Sequence, residues 1–177
     1  MSVEVTSPRF NLNAREALDD APLQRALGHV RKNFIERRAD AAAKVPEFEA
    51  LRDSARDIKN HTLAYLDLYL EAYEKAATAA GAKVHWARDA QEANRIIIDI
   101  CRARGAKTVT KGKSMISEET GLNSALEAAG MTPIETDLGE YIIQLRGEHP
   151  SHIIAPAVHL NKDQVEADFR RVHTHLP

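Results

Sequence analysis

The stretch TKGKSMISEE, at residues 110–119, combines residue types that can bind phosphate groups. Gly112, Lys113 and Ser114 follow a predicted strand and precede a predicted helix, whose N-terminus favours an anion. A Walker A loop requires G-x-x-x-x-G-K-[ST], whereas six residues separate Gly105 from Gly112, and no G-x-G-x-x-G motif is present. The stretch therefore indicates either a site for a small anion or a plain strand–turn–helix connection with an exposed lysine. Local sequence favours the plain connection.

Acidic and amide side chains on both sides of this stretch could perform acid–base chemistry. One set follows the loop and a second follows the next predicted strand, and we expect both to face one crevice at the carboxyl ends of parallel strands. A carboxyl group buried there would acquire a shifted pKa. The alternative, favoured for each acidic residue taken singly, is a solvated surface. Candidate catalytic residues are Lys113, Glu118 and Glu135, and candidate ligand-binding residues are Gly112, Lys113, Ser114, Asn123, Asp137 and Glu140.

The histidines and the cysteine do not predict a metal site. His149, His152 and His159 are separated by two and by six residues, which matches no compact ligand pair on one helix. Cys101 is the only cysteine and lies in the predicted helix IIIDICRA, where a buried, unreactive thiol is the usual state. One cysteine cannot supply the four thiolates of an iron–sulfur cluster. We therefore expect this chain to hold no metal and no cofactor.

Composition places the chain among ordinary globular proteins. Its 177 residues suffice for one domain with a helical extension, and 24 Lys and Arg nearly balance 26 Asp and Glu. Bulk charge therefore points to no nucleic-acid partner. No window approaches the roughly 18 apolar residues of a membrane span, and MSVEVTSPRFNLN lacks the apolar core of a secretory signal. These features predict a cytoplasmic protein without a membrane span.

The spacing of apolar residues divides the chain into two regions, and these regions must position the candidate site residues. Residues 1–80 are predicted as a helical N-terminal extension, with helices from Asn13 and Pro22 and a long helix from Pro46 to Gly81. Its tyrosines, Tyr65, Tyr69 and Tyr73, form a stripe that could pack against a second copy of the chain. Residues 81–177 are predicted as an α/β domain. Its predicted strands and strand-like segments are 82–87, 106–112, 131–137, 140–145 and 151–156, and its predicted helices are 91–105, 117–130 and one that begins near Asn161 or Lys162.

Three motifs in a fixed order carry a family resemblance: K-S-M-x-S-E-E, E-T-D-L-G-E and P-S-H-I-x-x-P-A-x-H. Over about residues 15–175 the chain resembles the amino-terminal part of the lactate-utilization protein B family, the iron–sulfur subunits of a bacterial L-lactate oxidation system. The resemblance implies a LUD-type domain with a parallel sheet, similar to the glucosamine-phosphate-deaminase, ribose-phosphate-isomerase and CoA-transferase group. It also implies two cysteine-rich [4Fe–4S] motifs in the full-length protein. We therefore expect this chain to be a fragment, incomplete at the C-terminal end of the domain.

The resemblance implies a function for the parent protein, namely electron transfer during oxidation of L-lactate to pyruvate together with sibling subunits. The chain itself is then expected to serve assembly or to bind a small anionic ligand. An alternative is an enzyme domain that acts on an organic acid or a phosphorylated substrate through Lys113 with Glu118 or Glu135. A helical interaction module at residues 13–80 is a third hypothesis. The ordered motifs favour the first.

Overall fold

The computed structural model describes residues 7–175 and separates into two compact units. One unit contains the described residues up to Arg31 together with those from Ala87 onward, and the other is Lys32–Trp86. Both are rich in helix, and the first also carries a small parallel sheet. The protein is therefore a mostly helical α/β structure.

The first unit begins with a 3-10 turn, Ser7–Arg9, and two short helices, α1 (Phe10–Asp19) and α2 (Ala21–Val30). Asp20 caps α2, because its side chain accepts a hydrogen bond from the Leu23 amide at 3.0 Å, and Pro22 lies in the first turn. The predicted helix start at Pro22 is thus confirmed. The helix predicted from Asn13 begins earlier, at Phe10.

The second unit is helical throughout most of its length. A π-type turn at Arg31–Glu36 leads into helices α3 (Arg37–Ala43), α4 (Phe48–Ala64) and α5 (Leu66–Ala79). The single long helix predicted from Pro46 is wrong, because the backbone of Tyr65 leaves the helical region between α4 and α5. His61 lies beside this break, its ring centroid 4.8 Å from that of Tyr65 and its Nδ1 3.2 Å from the Tyr69 hydroxyl.

The described helices are too short or too polar to cross a membrane. The three tyrosines of the predicted stripe, one at the break between α4 and α5 and two on α5, are exposed, and so are Ile58 and several leucines of these helices. This exposed apolar surface lies within the second unit.

The sheet consists of two parallel strands, β1 (Thr108–Lys111) and β2 (Thr132–Glu135), whose register places Lys111 opposite Glu135. Helices α7 (Met115–Glu119) and α8 (Leu122–Ala128) connect them, so the predicted βαβ unit is confirmed here. The helix predicted over 117–130 is divided at Gly121, which has a φ of 66° and starts α8. A left-handed residue cannot continue an α-helix, and glycine adopts it without steric cost.

Three predicted strand-like segments are wrong. Residues 82–87 and 151–156 form no strand, since β1 and β2 pair only with each other in the described sheet and neither segment has a ladder partner. Residues 140–145 instead belong to helix α9 (Leu138–Arg146), where Asp137 caps the first turn and Ile142 and Ile143 are buried. A short apolar run does not distinguish a strand from a buried helix by periodicity alone.

The core lies between the sheet and the helices that flank it. Leu122, Leu126 and Met131 are buried, and the partly buried side chains packed against them come from β1 and from α6 (Ala90–Ala103): Ile97, Ile98, Cys101 and Val109. Helix α10 (Lys162–Val172) begins as predicted, after a capping box of Asn161 and Gln164. Arg146 of α9 pairs with Asp168 of α10 at 2.6 Å.

Candidate functional site

Lys111, whose side chain is mostly buried, lies at the centre of a cluster of polar side chains at the end of β1. The ammonium of Lys111 lies 3.0 Å from Glu118 Oε1 and 3.0 Å from Ser117 Oγ, and it forms an ion pair with Glu135. Only 11% of the Lys111 side chain and 3% of the Glu135 side chain are exposed. Burial alone would lower the pKa of Lys111, but the hydrogen bonds to Glu135 and Glu118 outweigh it and the pKa is raised. Lys111 is therefore a cation at neutral pH.

Glu135 is held in place by the strand register and by two amide side chains. The register sets β2 so that Glu135 faces Lys111, and Asn123 of α8 donates from Nδ2 to Glu135 Oε1 at 3.1 Å. The Glu135 amide donates to Gln144 Oε1 at 3.1 Å, while Gln144 Nε2 donates to the Pro133 carbonyl at 2.9 Å. The position of this carboxylate is thus fixed by groups from β1, α8 and α9.

Glu140, in the first turn of α9, supplies a second buried carboxyl group. Its Oε2 accepts a hydrogen bond from the Lys113 amide at 3.0 Å, and its residue is 9% exposed. Burial raises the pKa of Glu140, the backbone hydrogen bond opposes the shift, and the charge of neighbouring Glu135 adds to it. Glu140 therefore keeps its proton to a higher pH than an exposed glutamate and can share it with Glu135.

The carboxyl groups of Glu118, Glu135 and Glu140 border a cavity of about 130 Å³. Helices α7, α8 and α9, the end of β2 and the turn at 148–150 form its walls. The lining combines apolar surface from Ile143 and Pro150 with polar side chains, which are Asn123 and His149 and the acidic residues Glu118, Glu127, Glu135, Glu140 and Glu148. Chemically, the cavity can accept hydrogen bonds, hold positive charge or exchange a proton.

The remaining predicted residues lie on the outer side of the same loop. Lys113 has a φ of 56° and a side chain that is 77% exposed, and it pairs with Asp137. Gly112 and Thr136 line a shallow surface depression together with these two residues. Ser114 caps α7 by accepting from the Ser117 amide at 3.3 Å. The structure thus groups Glu118, Asn123, Glu135 and Glu140 at the cavity, and Gly112, Lys113 and Asp137 at the depression.

Lys111 is the residue that sequence reasoning missed. A signal for it was present, because side chains two apart on a strand share a face, and the apolar Val109 marks the inner face of β1. The Gly-Lys-Ser sequence drew attention to Lys113, one position further along. In residues 7–175, His, Cys, Asp and Glu form no group of three or more that could hold a metal ion.

The close approach of β1 and β2 makes Gly112 sensitive to substitution. A Cβ at this position would lie 2.7 Å from Thr136 Oγ1, which donates to the Lys111 carbonyl at 3.0 Å. We expect Gly112→Ala to lower the free energy of unfolding by about 1–2 kcal/mol, because Thr136 must give up this hydrogen bond or the loop must shift. Urea unfolding followed by circular dichroism measures the change.

The matched control is Gly28→Ala in α2, where a Cβ meets nothing within 4 Å. Alanine is the better helix former by roughly 1 kcal/mol, so we expect this variant to be slightly stabilised. A loss of stability of the same size in both variants would contradict the role given to Thr136.

Glu140→Gln tests the buried carboxyl group through its pH dependence. The raised pKa means that the folded state binds this proton more tightly than the unfolded chain, so its contribution is present below pH 4.5 and is lost as the pH rises through the folded pKa. Glutamine can keep accepting from the Lys113 amide without the charge. We therefore expect the variant to be more stable than the wild type at neutral pH and to differ less in acid.

Thermal melts of both proteins across this pH range, with the exposed Glu119→Gln as control, measure the difference. A surface substitution of this kind is expected to change stability by no more than about 0.5 kcal/mol at any pH. If the difference between Glu140→Gln and the wild type did not grow with pH, Glu140 would not be the group whose pKa is raised.

Comparison with known proteins identifies relatives over nearly the whole chain. The sequence model of the LUD domain matches residues 70–175. Lactate utilization protein B of Macrococcus caseolyticus is 40% identical over 171 residues, and that of an Exiguobacterium species is 38% identical over 161 residues. An uncharacterized electron transport protein of Escherichia coli is 34% identical over 165 residues.

These matches cover a large share of this chain but a small share of each relative. They cover 96%, 91% and 93% of this chain, but 36%, 34% and 35% of the respective relatives. The chain thus spans about a third of the length of the curated relatives it matches. No solved structure matches it.

Proposed function

Because the chain belongs to the LUD domain family, we propose that it is the amino-terminal part of an electron-transfer subunit that takes part in the oxidation of L-lactate to pyruvate. The observation that supports this is the similarity to lactate utilization protein B over 96% of the chain, together with the electron transport protein of Escherichia coli. The partners in this proposal are the sibling subunits of a lactate-utilization system.

The proposal assigns the redox centres to other parts of the longer protein. An iron–sulfur cluster takes four thiolates, whereas this chain has one cysteine, Cys101, which is packed against the core residues Leu122, Leu126 and Met131. The residues present therefore do not fit a [4Fe–4S] cluster. We propose that such clusters are held in the part that this chain does not cover.

Within that protein, residues 81–177 are proposed to be an incomplete LUD-type domain that follows a helical extension at residues 1–80. The parallel β1–α7–α8–β2 unit is compatible with the proposed similarity to the glucosamine-phosphate-deaminase, ribose-phosphate-isomerase and CoA-transferase group. The helical extension would serve assembly. Exposed apolar side chains of α4 and α5 support this role: Leu51, Ile58, Leu63, Leu66, Tyr69 and Tyr73.

The depression beside Lys113 is the proposed place for a small anionic ligand. Its ammonium is exposed and already pairs with one carboxylate, Asp137, which a competing anion would have to replace. Gly112 leaves the floor of the depression without a side chain, and Thr136 offers a hydroxyl at its edge. Binding there would leave the buried ion pair of Lys111 intact.

A second candidate function is acid–base catalysis on an organic acid or a phosphorylated substrate. The observation that favours it is the cluster of Glu118, Glu135 and Glu140 at one cavity, where Lys111 pairs with Glu118 and Glu135 and the pKa of Glu140 is raised by burial and by Glu135. In this alternative Glu140 would exchange the proton, and Lys111 would stabilise negative charge.

Deletion of the gene in its own organism tests the first proposal. Growth on L-lactate as carbon source is expected to be lost and growth on glucose to be unchanged, with recovery when the gene is restored. Unimpaired growth on L-lactate would contradict the proposed role. The purified chain should also not reduce a redox dye when L-lactate is supplied. Dye reduction would mean that this chain holds a redox centre, which contradicts the proposal that the clusters lie elsewhere in the longer protein.

Restoring the gene with single substitutions separates the two candidate functions. Under acid–base catalysis, Glu118→Gln is expected to reduce growth on L-lactate, whereas Glu119→Gln, its exposed neighbour on α7, is not. If the assembly role is correct, both variants support growth equally. Lys113→Met tests the anion site in the same way, since it removes the exposed ammonium without touching Lys111.

A further inference from the structure

Helix α4 carries a largely apolar seam that the described part of the chain leaves uncovered. Its members recur at alternating steps of three and four residues, the spacing of the a and d positions of a coiled coil: Phe48, Leu51, Ala55, Ile58 and Thr62. Helix α4 has no buried residue, and Leu51 and Ile58 are 54% and 67% exposed. Helices in proteins gain most of their stability from packing of their apolar face. The seam therefore needs a partner.

The seam continues across the break into α5. Its next members, at the same spacing, are Tyr65, Tyr69 and Ala72, and α5 also has no buried residue. Although the backbone of Tyr65 leaves the helical region, its amide donates to the His61 carbonyl and its carbonyl accepts from the Tyr69 amide, both at 3.2 Å. The ring centroid of His61 lies 4.8 Å from that of Tyr65 and 6.0 Å from that of Tyr69. The same face is therefore maintained through the break.

A depression at the break has the arrangement of a coiled-coil hole. His61, Tyr65, Leu68, Tyr69 and Ala72 line it. The last four of these residues occupy positions i, i+3, i+4 and i+7, and four such residues form the hole that receives one side chain, the knob, of the facing helix. Because aromatic and aliphatic groups make up most of the lining, the depression suits an apolar knob.

The sizes of the seam residues select the orientation of the facing helix. In a parallel pair of copies each seam residue would face itself, so that Phe48 would meet Phe48 and Ala55 would meet Ala55, and crowded layers would alternate with voids. In an antiparallel pair centred at Asn60, three of the four layers combine a larger with a smaller residue. These layers are Phe48 with Ala72, Leu51 with Tyr69, Ala55 with Tyr65, and Ile58 with Thr62. Leu51 of the second copy is then the knob that enters the depression.

The charges beside the seam agree with the antiparallel orientation. Glu47 and Lys75 flank the same side of the seam at its opposite ends. Antiparallel pairing sets Glu47 of each copy beside Lys75 of the other, which gives two attractive contacts. One like-charge approach opposes them, because Lys59 of the two copies would meet near the centre. Its long side chain can direct the ammonium into solvent, so the cost of this approach is small.

We propose that helices α4 and α5 of two copies of this chain pair along the seam as an antiparallel coiled coil. This inference rests on the assembly role proposed for the helical extension and specifies that its partner is a second copy. The purified chain is sufficient to test it, whereas the electron-transfer role is tested by growth on L-lactate.

Sedimentation equilibrium of the whole chain over micromolar concentrations tests the pairing. We expect a reversible equilibrium between monomer and dimer. Leu51→Gln removes the knob twice in each dimer and is expected to raise the dimer Kd about tenfold or more. The matched control is Leu63→Gln, also on α4, because Leu63 is 69% exposed and lies outside the seam. This variant should leave the Kd unchanged. Circular dichroism confirms that both variants are folded.

Charge reversal tests the orientation of the two copies. Glu47→Lys and Lys75→Glu each place like charges opposite one another in the antiparallel pair, and each is expected to weaken the dimer several-fold at low salt. The double variant restores two opposite-charge contacts and should recover most of the lost affinity. In a parallel pair Glu47 would instead lie beside Arg52, and the second reversal would restore nothing.

Several results would overturn the proposal. A chain that sediments as a monomer at every concentration would leave the seam to a sibling subunit or to another part of the longer protein. Equal effects of Leu51→Gln and Leu63→Gln would place the contact outside the seam, and a double charge reversal without recovery would rule out the antiparallel orientation. A monomeric chain whose gene is required for growth on L-lactate would contradict the pairing alone. A dimer whose gene is dispensable for that growth would contradict only the electron-transfer role.

Discussion

Replacing Lys111 with methionine is expected to lower the free energy of unfolding by about 3–5 kcal/mol, which is the typical cost of breaking a buried ion pair by removing one partner. The loss is large because the Glu135 carboxyl group would stay buried without its cation, while Asn123 still donates to its Oε1. Glu118 would lose its cation as well. Urea unfolding at neutral pH measures the change as a shift in midpoint at constant slope.

Lys113→Met provides the matched control for this experiment. The two lysines are two residues apart, but the Lys113 side chain is 77% exposed and pairs with Asp137. An exposed pair contributes about 0–1 kcal/mol, so this variant should unfold almost as the wild type does. Equal losses in both variants would contradict the burial of the Lys111 ammonium.

A double variant distinguishes an unpaired charge from poor packing. Lys111→Met combined with Glu135→Gln removes both partners, and we expect it to recover a large part of the lost stability, because no buried charge of that pair is left uncompensated. If the double variant were as unstable as the sum of the two single variants, the ion pair would not be the source of the loss.

Leu126→Ala is expected to have the second large effect, a loss of about 2–5 kcal/mol. Leu126 is the only described hydrophobic residue with 0% exposure, and it packs in a small core with Leu122 and Met131. A core of this size has few side chains that could move into the cavity left behind, so relaxation should be limited. The measurement is again urea unfolding, with the slope checked for a two-state transition.

Leu138→Ala is the control for the core substitution. Leu138 occupies the first turn of α9 and is 67% exposed, so removing its side chain creates no cavity. We expect a change of no more than about 0.5 kcal/mol. A comparable loss in both leucine variants would show that burial at position 126 is less complete than the structure has it.

Elements with clear boundary residues were predicted well from the sequence. Helix α6 ends near Gly105 as expected, and α10 begins after Asn161, whose side chain caps it. The parallel pairing of β1 and β2 follows from the strand–helix–strand order between residues 106 and 137. In each case a local signal, a cap or a change of period, agrees with the tertiary structure.

Segments whose structure depends on distant partners were predicted poorly. The sequence of 82–87 suits a strand, but a strand requires a neighbour, and the described sheet offers it none. The apolar segment 140–145 is compatible with a strand or with a buried helix. It forms part of helix α9, whose first turn is capped by the Asp137 side chain. The choice between Lys111 and Lys113 depended on which face of β1 is inward, and only Val109 indicated it.

The parallel pair of strands also bears on how this part of the chain folds. Residues 112–131 form the whole connection between β1 and β2, and the core residues Leu122 and Leu126 lie inside it. Closing so short a crossover costs little chain entropy, and contacts between residues near in sequence form fast. We therefore expect α8 to dock as the strands pair. Leu126→Ala would then slow folding as well as speed unfolding, which stopped-flow kinetics can resolve.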